Sequence, residues 1–215
     1  MMNQSISCAM EEGRDSLIPI LDEIFTWLIT YSEEGSHPSD KQYQVLSFLI
    51  SMVLRNCQPL VDNALKEMSH RPMSGKRLLS KSGVNSGILA LNTYKSTPIH
   101  DHVGSNIFTL IVSGIAKVEE YEVLEKNSVG KRLRVSSVQN MGPGESILRK
   151  SNTGLIHSLT AIGSPAVFID CQFPRTNSQL RHWYFPLSGK MDGAFYSAAI
   201  PEDKIKGISG RVKSI

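Results

Sequence analysis

Residues 100–114 read HDHVGSNIFTLIVSG: two histidines one residue apart, then a β-branched apolar run closed by Ser-Gly. On a strand the side chains of His100 and His102 leave the same face, so both imidazoles can reach one ion. On a helix the same spacing would splay them by about 200°, since a turn takes only 3.6 residues. Pro98 ahead of the pair and the run 107–112 behind it favour the extended chain. An exposed HxH on a loop is the alternative for the motif taken alone.

Downstream, residues 142–157 read GPGESILRKSNTGLIH, a Gly-Pro-Gly turn with His157 about one strand further on. From residue 75 onward short β-rich runs alternate with Gly, Asn, Ser and Pro clusters at intervals of roughly 8–12 residues, the pattern of a barrel or sandwich. The predicted strands are 87–94, 107–112, 115–124, 133–139, 146–149, 155–160, 166–173 and 194–198, with Ser113-Gly114 as a tight turn between the second and third. Upstream the period changes. Residues 16–31 place Leu17, Leu21, Ile24, Phe25, Leu28 and Tyr31 on one helical stripe, with Ser16 as cap and Pro19 tolerated in the first turn. Asp40 caps a second helix whose buried stripe is expected through Val45, Phe48, Leu49, Met52 and Val53. Pro59 ends it, and a third helix runs from there to about residue 68. Two parts follow: a helical segment over 1–74 and a barrel domain over 75–215. The helical stripes either cap the barrel or form a homodimer contact.

Composition narrows the function classes. Hydrophobic residues at 40% and charged residues at 20% are ordinary for a globular protein. A net charge of +3, with Lys131, Arg132 and Arg134 as the one short basic cluster, argues against nucleic acid as a partner. Cys8, Cys57 and Cys171 are odd in number, widely spaced and free of any CxxC, so they read as reduced thiols. The longest apolar stretch, 45–54, is too short for a membrane span, and no signal-like segment opens the chain; a cytoplasmic location is the expectation.

The two histidine blocks resemble those of the cupin superfamily, whose first block is HxH followed by a strand and Gly and whose second is PxG followed by His. That resemblance implies a mainly β fold with N-terminal α, a cupin double-stranded β-helix or jelly-roll-like barrel, in which His100, His102 and His157 converge on a metal. The glutamate that usually follows the second histidine is absent from Val103-Gly104-Ser105-Asn106-Ile107. Three neutral imidazoles remain, a donor set suited to Fe(II) with open positions for substrate and O2, or to Zn, Ni or Mn.

More closely, residues 96–114 (STPIHDHVGSNIFTLIVSG) and 154–174 (GLIHSLTAIGSPAVFIDCQFP) resemble the thiol dioxygenases of the cysteine dioxygenase type over about residues 75–198. That likeness implies a mononuclear non-haem iron dioxygenase that oxidises a small thiol or related small carboxylate. Arg77 in KRLLSKSG falls near the family arginine that grips the substrate carboxylate; a surface arginine is the alternative. Where the family has Ser, His and Tyr around the iron, this chain has Phe168, Asp170 and Gln172, which alternate along one strand and share a face. Asp170 and Gln172 are the catalytic candidates, able to orient the oxygen or a bound water, while the missing tyrosine argues against cysteine itself as substrate. Tyr94, with Asn92, shares the inner face of the first strand and is a candidate to line the substrate pocket beside Arg77. Ile107 stands at the family's crosslinking cysteine. Cys171, out of phase with its neighbours, is expected to pack outside the barrel against a helix, and Asp101 to point away from the metal. Trp183, Tyr184 and Phe185 in RHWYFP are assigned to core or lid packing. The competing classes are a metal-binding cupin doing isomerisation or hydrolysis and a non-catalytic ligand-binding cupin.

Overall fold

Leu46, Ile50, Val53 and Cys57 recur at helical spacing, and that line is what α1 (Asp40–Asn56) buries. The stripe expected through Val45 and Phe48 is rotated outward, leaving them 45% and 61% exposed, because the Leu46 line continues into the next helix at Cys57. In α2 (Gln58–Met68) Pro59 occupies the first turn, where its missing N–H costs nothing, and Leu60, Val61, Ala64 and Met68 turn inward. The computed structural model describes residues 17, 19–24, 26, 27, 30, 40–68, 71–81, 84–102, 104–126, 130–149, 155–173, 182–187 and 194–201. Within 17–30 the described residues are helical, and Leu17, Ile20, Leu21 and Ile24 are buried. Ser16, Phe25, Leu28 and Tyr31 of the expected first helix, and Cys8, lie outside the described residues.

The remaining elements are strands: β1 (Met73–Lys81), β2 (Val84–Leu91), β3 (Ile99–Asp101), β4 (Asn106–Lys126), β5 (Lys131–Met141), β6 (Ser146–Arg149), β7 (Ile156–Phe173), β8 (His182–Pro186) and β9 (Ala194–Pro201). Every pairing between them is antiparallel. The ladder β4–β5–β9–β8–β3–β7 returns to β4 and so closes on itself, which removes its edges. β2 and then β1 extend from the C-terminal half of β7, and β6 lies along the N-terminal half of β4. The protein is therefore mainly β, an antiparallel barrel behind N-terminal helices, as its residue pattern predicts.

Two expected boundaries are corrected. Runs 107–112 and 115–124 are one strand, β4, and runs 155–160 and 166–173 are likewise one strand, β7. Ser113-Gly114 bends the chain without reversing it, since both sides keep pairing with β7, at Ser113 with Val167 and at Ile115 with Ile162. Gly114 has φ 72°, and a Cβ there would meet the Pro165 carbonyl oxygen at 2.1 Å, so only glycine fits the corner.

The largest core joins helices to barrel. Leu17, Leu21, Ile24, Val53 and Val61 pack with Ile88, Phe108, Leu110, Val167, Ile169 and Cys171 from one face of β2, β4 and β7. Cys171 thus packs on the helix side, as its phase predicts, and burial pushes its thiol pKa well up. By alternation Phe168, Asp170 and Gln172 face the other way, toward the second core of Leu91, Ile111, Val118, Leu159 and Phe168. No described helix is long and apolar enough to cross a membrane.

Candidate metal centre

His100 on β3 stands opposite His157 on β7 and opposite Trp183 on β8, so the three form a row across adjacent strands. Neighbours in such a row are about 5 Å apart, close enough for imidazoles to meet. His102, just past the end of β3, returns to the same side, and its carbonyl accepts the Ser105 N–H at 3.1 Å. His157 Nε2 lies 3.0 Å from His102 Nε2 and 3.2 Å from His100 Nε2, and all three residues are buried. The predicted convergence is therefore present, and the three residues form a group able to hold a metal ion.

The tautomers fit a metal. His100 Nδ1 is 2.9 Å from the Pro98 carbonyl, which can only accept, so the neutral ring carries its proton on Nδ1 and Nε2 is the acceptor nitrogen. The Gln172 side-chain nitrogen Nε2 lies 3.0 Å from His102 Nδ1. Turning that amide over would bring its oxygen to Nδ1 and fix His102 in the same tautomer; a metal-binding imidazole characteristically donates its second N–H in this way.

His100 and His157 border a cavity of about 240 Å³. Arg77, Asn85, Asp170, Gln172 and Trp183 also line it. Fully buried Thr109 donates from Oγ1 to Asp170 Oδ1 at 2.7 Å, which fixes the carboxylate. Arg77 is exposed on β1, across from Gly87 of β2, whose partner on β7 is Asp170. Tyr94 is a correction: it does not line the cavity. β2 stops at Leu91, Asn92 Oδ1 takes the Thr93 N–H at 2.8 Å, and the chain turns, leaving Tyr94 at φ 60° and 72% exposed.

Asp101 points away from the histidines, as expected, into a buried network on the other face. It accepts from the His182 backbone N–H at 2.7 Å, His182 Nδ1 at 3.1 Å and the Tyr184 hydroxyl at 2.7 Å. These bonds lock β8 against β3 and so hold Trp183 in the row. Burial and the Asp101 charge raise the Tyr184 pKa, and burial lowers that of Lys131, which donates to the Tyr184 oxygen. Sequence reasoning assigns Trp183 to packing and is silent on Asn85 and Thr109. The available signals are the alternation His182, Trp183, Tyr184 and a lone polar residue inside the apolar run of β4.

Fold and site together define a β-barrel protein with a candidate three-histidine metal centre. No family model matches the chain, and no curated protein matches it. Among solved structures it is similar to KdgF from Halomonas sp., at 15% identity over 51% of this chain and 84% of that one, TM-score 0.40. It is also similar to a recombinant oxalate oxidase in complex with glycolate, at 15% identity, 49% and 52% coverage and TM-score 0.39. The DMSP lyase DddQ from Ruegeria pomeroyi DSS-3 matches at 14% identity, 47% coverage of each chain and TM-score 0.36. The matched region spans about half the length of the oxidase and of the lyase. Likeness at this level carries no argument about activity, which rests on the site itself.

Proposed function

We propose that this protein is a cupin-type mononuclear non-haem iron enzyme of the thiol dioxygenase kind, oxidising a small thiol or related small carboxylate with O2. The observation that carries the reading is the meeting of three buried imidazoles, with His157 Nε2 at 3.0 Å from His102 Nε2 and 3.2 Å from His100 Nε2, beside a cavity that Arg77 and Asp170 also line. A ferrous ion held by His100, His102 and His157 would supply the redox chemistry and acidify a thiol. Arg77 receives the substrate carboxylate at the cavity rim, where a guanidinium offers paired donors. Asp170, held by Thr109, orients the reacting partner, and Gln172 holds His102 in its ligating tautomer.

The test is O2 uptake by anaerobically iron-loaded protein against a panel of small thiols, with His157→Ala as control. Consumption with no thiol removes the reading. A second reading is favoured by Asp170, a carboxylate beside the site that could act as a base without a redox metal: a zinc, nickel or manganese centre doing isomerisation or hydrolysis. Metal analysis of freshly purified protein separates the two, since zinc without iron supports the second.

A further inference from the structure

Two buried polar atoms flank the imidazoles, and neither has a hydrogen-bond partner among the described residues: Trp183 Nε1 and Asn85 Oδ1. Both residues line the cavity. Trp183 takes the next place in the row after His157 and His100, its ring centroid 5.9 Å from that of His100. Asn85 stands opposite Gln172 on β2, and Gln172 touches His102. One orphan therefore adjoins each end of the triad. The indole N–H can only donate, and the amide oxygen can only accept. Buried polar groups without partners are unfavourable, and a ligand that satisfies one gains about 5- to 100-fold in affinity.

We propose that Trp183 and Asn85 are specificity-determining residues that read two polar groups of one small ligand. Trp183 donates to an acceptor oxygen beside the metal centre, and Asn85 accepts from a hydroxyl or ammonium on the same molecule. The ligand class is a short carboxylic acid with a hydrogen-bond donor next to its carboxylate. Size agrees, because a cavity of about 240 Å³ falls below the roughly 300–1,000 Å³ of pockets that take drug-sized ligands. The inference rests on the cavity being the ligand site of the proposed enzyme, but not on its redox chemistry.

The experiment titrates the zinc-loaded full chain calorimetrically with L-lactate, L-alanine and propionate, acids of one carbon skeleton that differ in the donor at C2. Wild type is expected to bind lactate or alanine at least about fivefold more tightly than propionate. Asn85→Leu should erase that preference and leave propionate binding unchanged, while Asn85→Asp, which keeps an acceptor, retains it. Trp183→Phe should weaken all three by about fivefold or more. Near-UV circular dichroism checks each fold, and the Asn85 pair carries the test if the Trp183 variant fails to fold. No binding of any acid, no preference in wild type, or a preference intact in Asn85→Leu overturns the proposal. Repeating the titrations on the metal-free chain separates the two readings: selectivity that persists there without iron-dependent O2 uptake sinks the oxygenase and leaves this inference standing.

Discussion

Replacing Gln172 by leucine should weaken metal binding without unfolding the barrel. The side chain lies 3.0 Å from His102 Nδ1 and is only partly buried, so a leucine of similar volume fits the strand. What is lost is the amide that, turned with its oxygen toward Nδ1, would fix the His102 ring in its ligating tautomer. His102 is 4% exposed, and removing the amide partner of its Nδ1 in such a place costs about 1–3 kcal/mol. At 1.4 kcal/mol per decade that is roughly 5- to 150-fold in the dissociation constant, in line with the 10- to 100-fold typical of residues behind metal ligands. Competition of Co(II)- or Zn(II)-loaded protein against a chromophoric chelator measures it directly. Gln172→Glu, which keeps an acceptor against Nδ1, should hold the wild-type affinity or exceed it. Equal affinities for Gln172→Leu and wild type, within twofold, would refute the tautomer argument.

Three further outcomes follow from the packing and the buried network. Ile50→Ala should cost about 2–4 kcal/mol and Phe48→Ala under about 0.5 kcal/mol in urea unfolding, because only Ile50 lies on the buried line of α1; equal costs would mean the helix is rotated. Gly114→Val should give no soluble protein or lose at least about 3 kcal/mol, since its Cβ would overlap the Pro165 carbonyl; a normal melting curve would contradict the corner geometry. The raised Tyr184 pKa means that above pH 10 the native state keeps a proton the unfolded chain has lost. The stability from this group is therefore full below pH 10 and lost as pH climbs toward the native value, about 1.4 kcal/mol per pH unit, or roughly 3–5 °C of melting temperature between pH 10 and 11. Lys131, whose pKa is lowered, acts in the opposite sense but is present in both proteins, so Tyr184→Phe should flatten the alkaline fall; an unchanged slope would rule this out.

The residues that could be read from sequence are those whose signal is local. His100 and His102 share a side because a strand has period two, and Phe168, Asp170 and Gln172 share a face for the same reason. The meeting of His157 with that pair is not local; it came from the likeness of two blocks to a known arrangement, and β3–β7 pairing realises it. What resisted reading depended on tertiary context. Ser113-Gly114 has the composition of a hairpin turn, yet β7 continues past it on the neighbouring track, so the glycine serves a corner. Val45 and Phe48 fit a helical stripe as well as Leu46 and Ile50 do, and only the position of the sheet chooses between the two phases. Tyr94 lies one alternation beyond the point where Asn92 captures the backbone and ends the strand. Trp183 becomes a cavity residue because the buried carboxylate of Asp101, on the adjacent strand β3, anchors the two residues beside it.

The triad closes across great lengths of chain: 55 residues separate His102 from His157, and 57 separate His100 from it. Bringing such ends together costs roughly 3–4 kcal/mol of chain entropy, which must be met before any coordination bond can form. An unfolded chain must meet that cost for each ion it gathers, whereas the native barrel presents the three imidazoles already assembled. An ion at a hundredfold excess over its dissociation constant would shift the folding equilibrium by about 2.7 kcal/mol, nearly matching that entropy. The centre would then act as a clasp on the folded chain as well as a reagent, and cells starved of the metal would lose protein abundance along with activity.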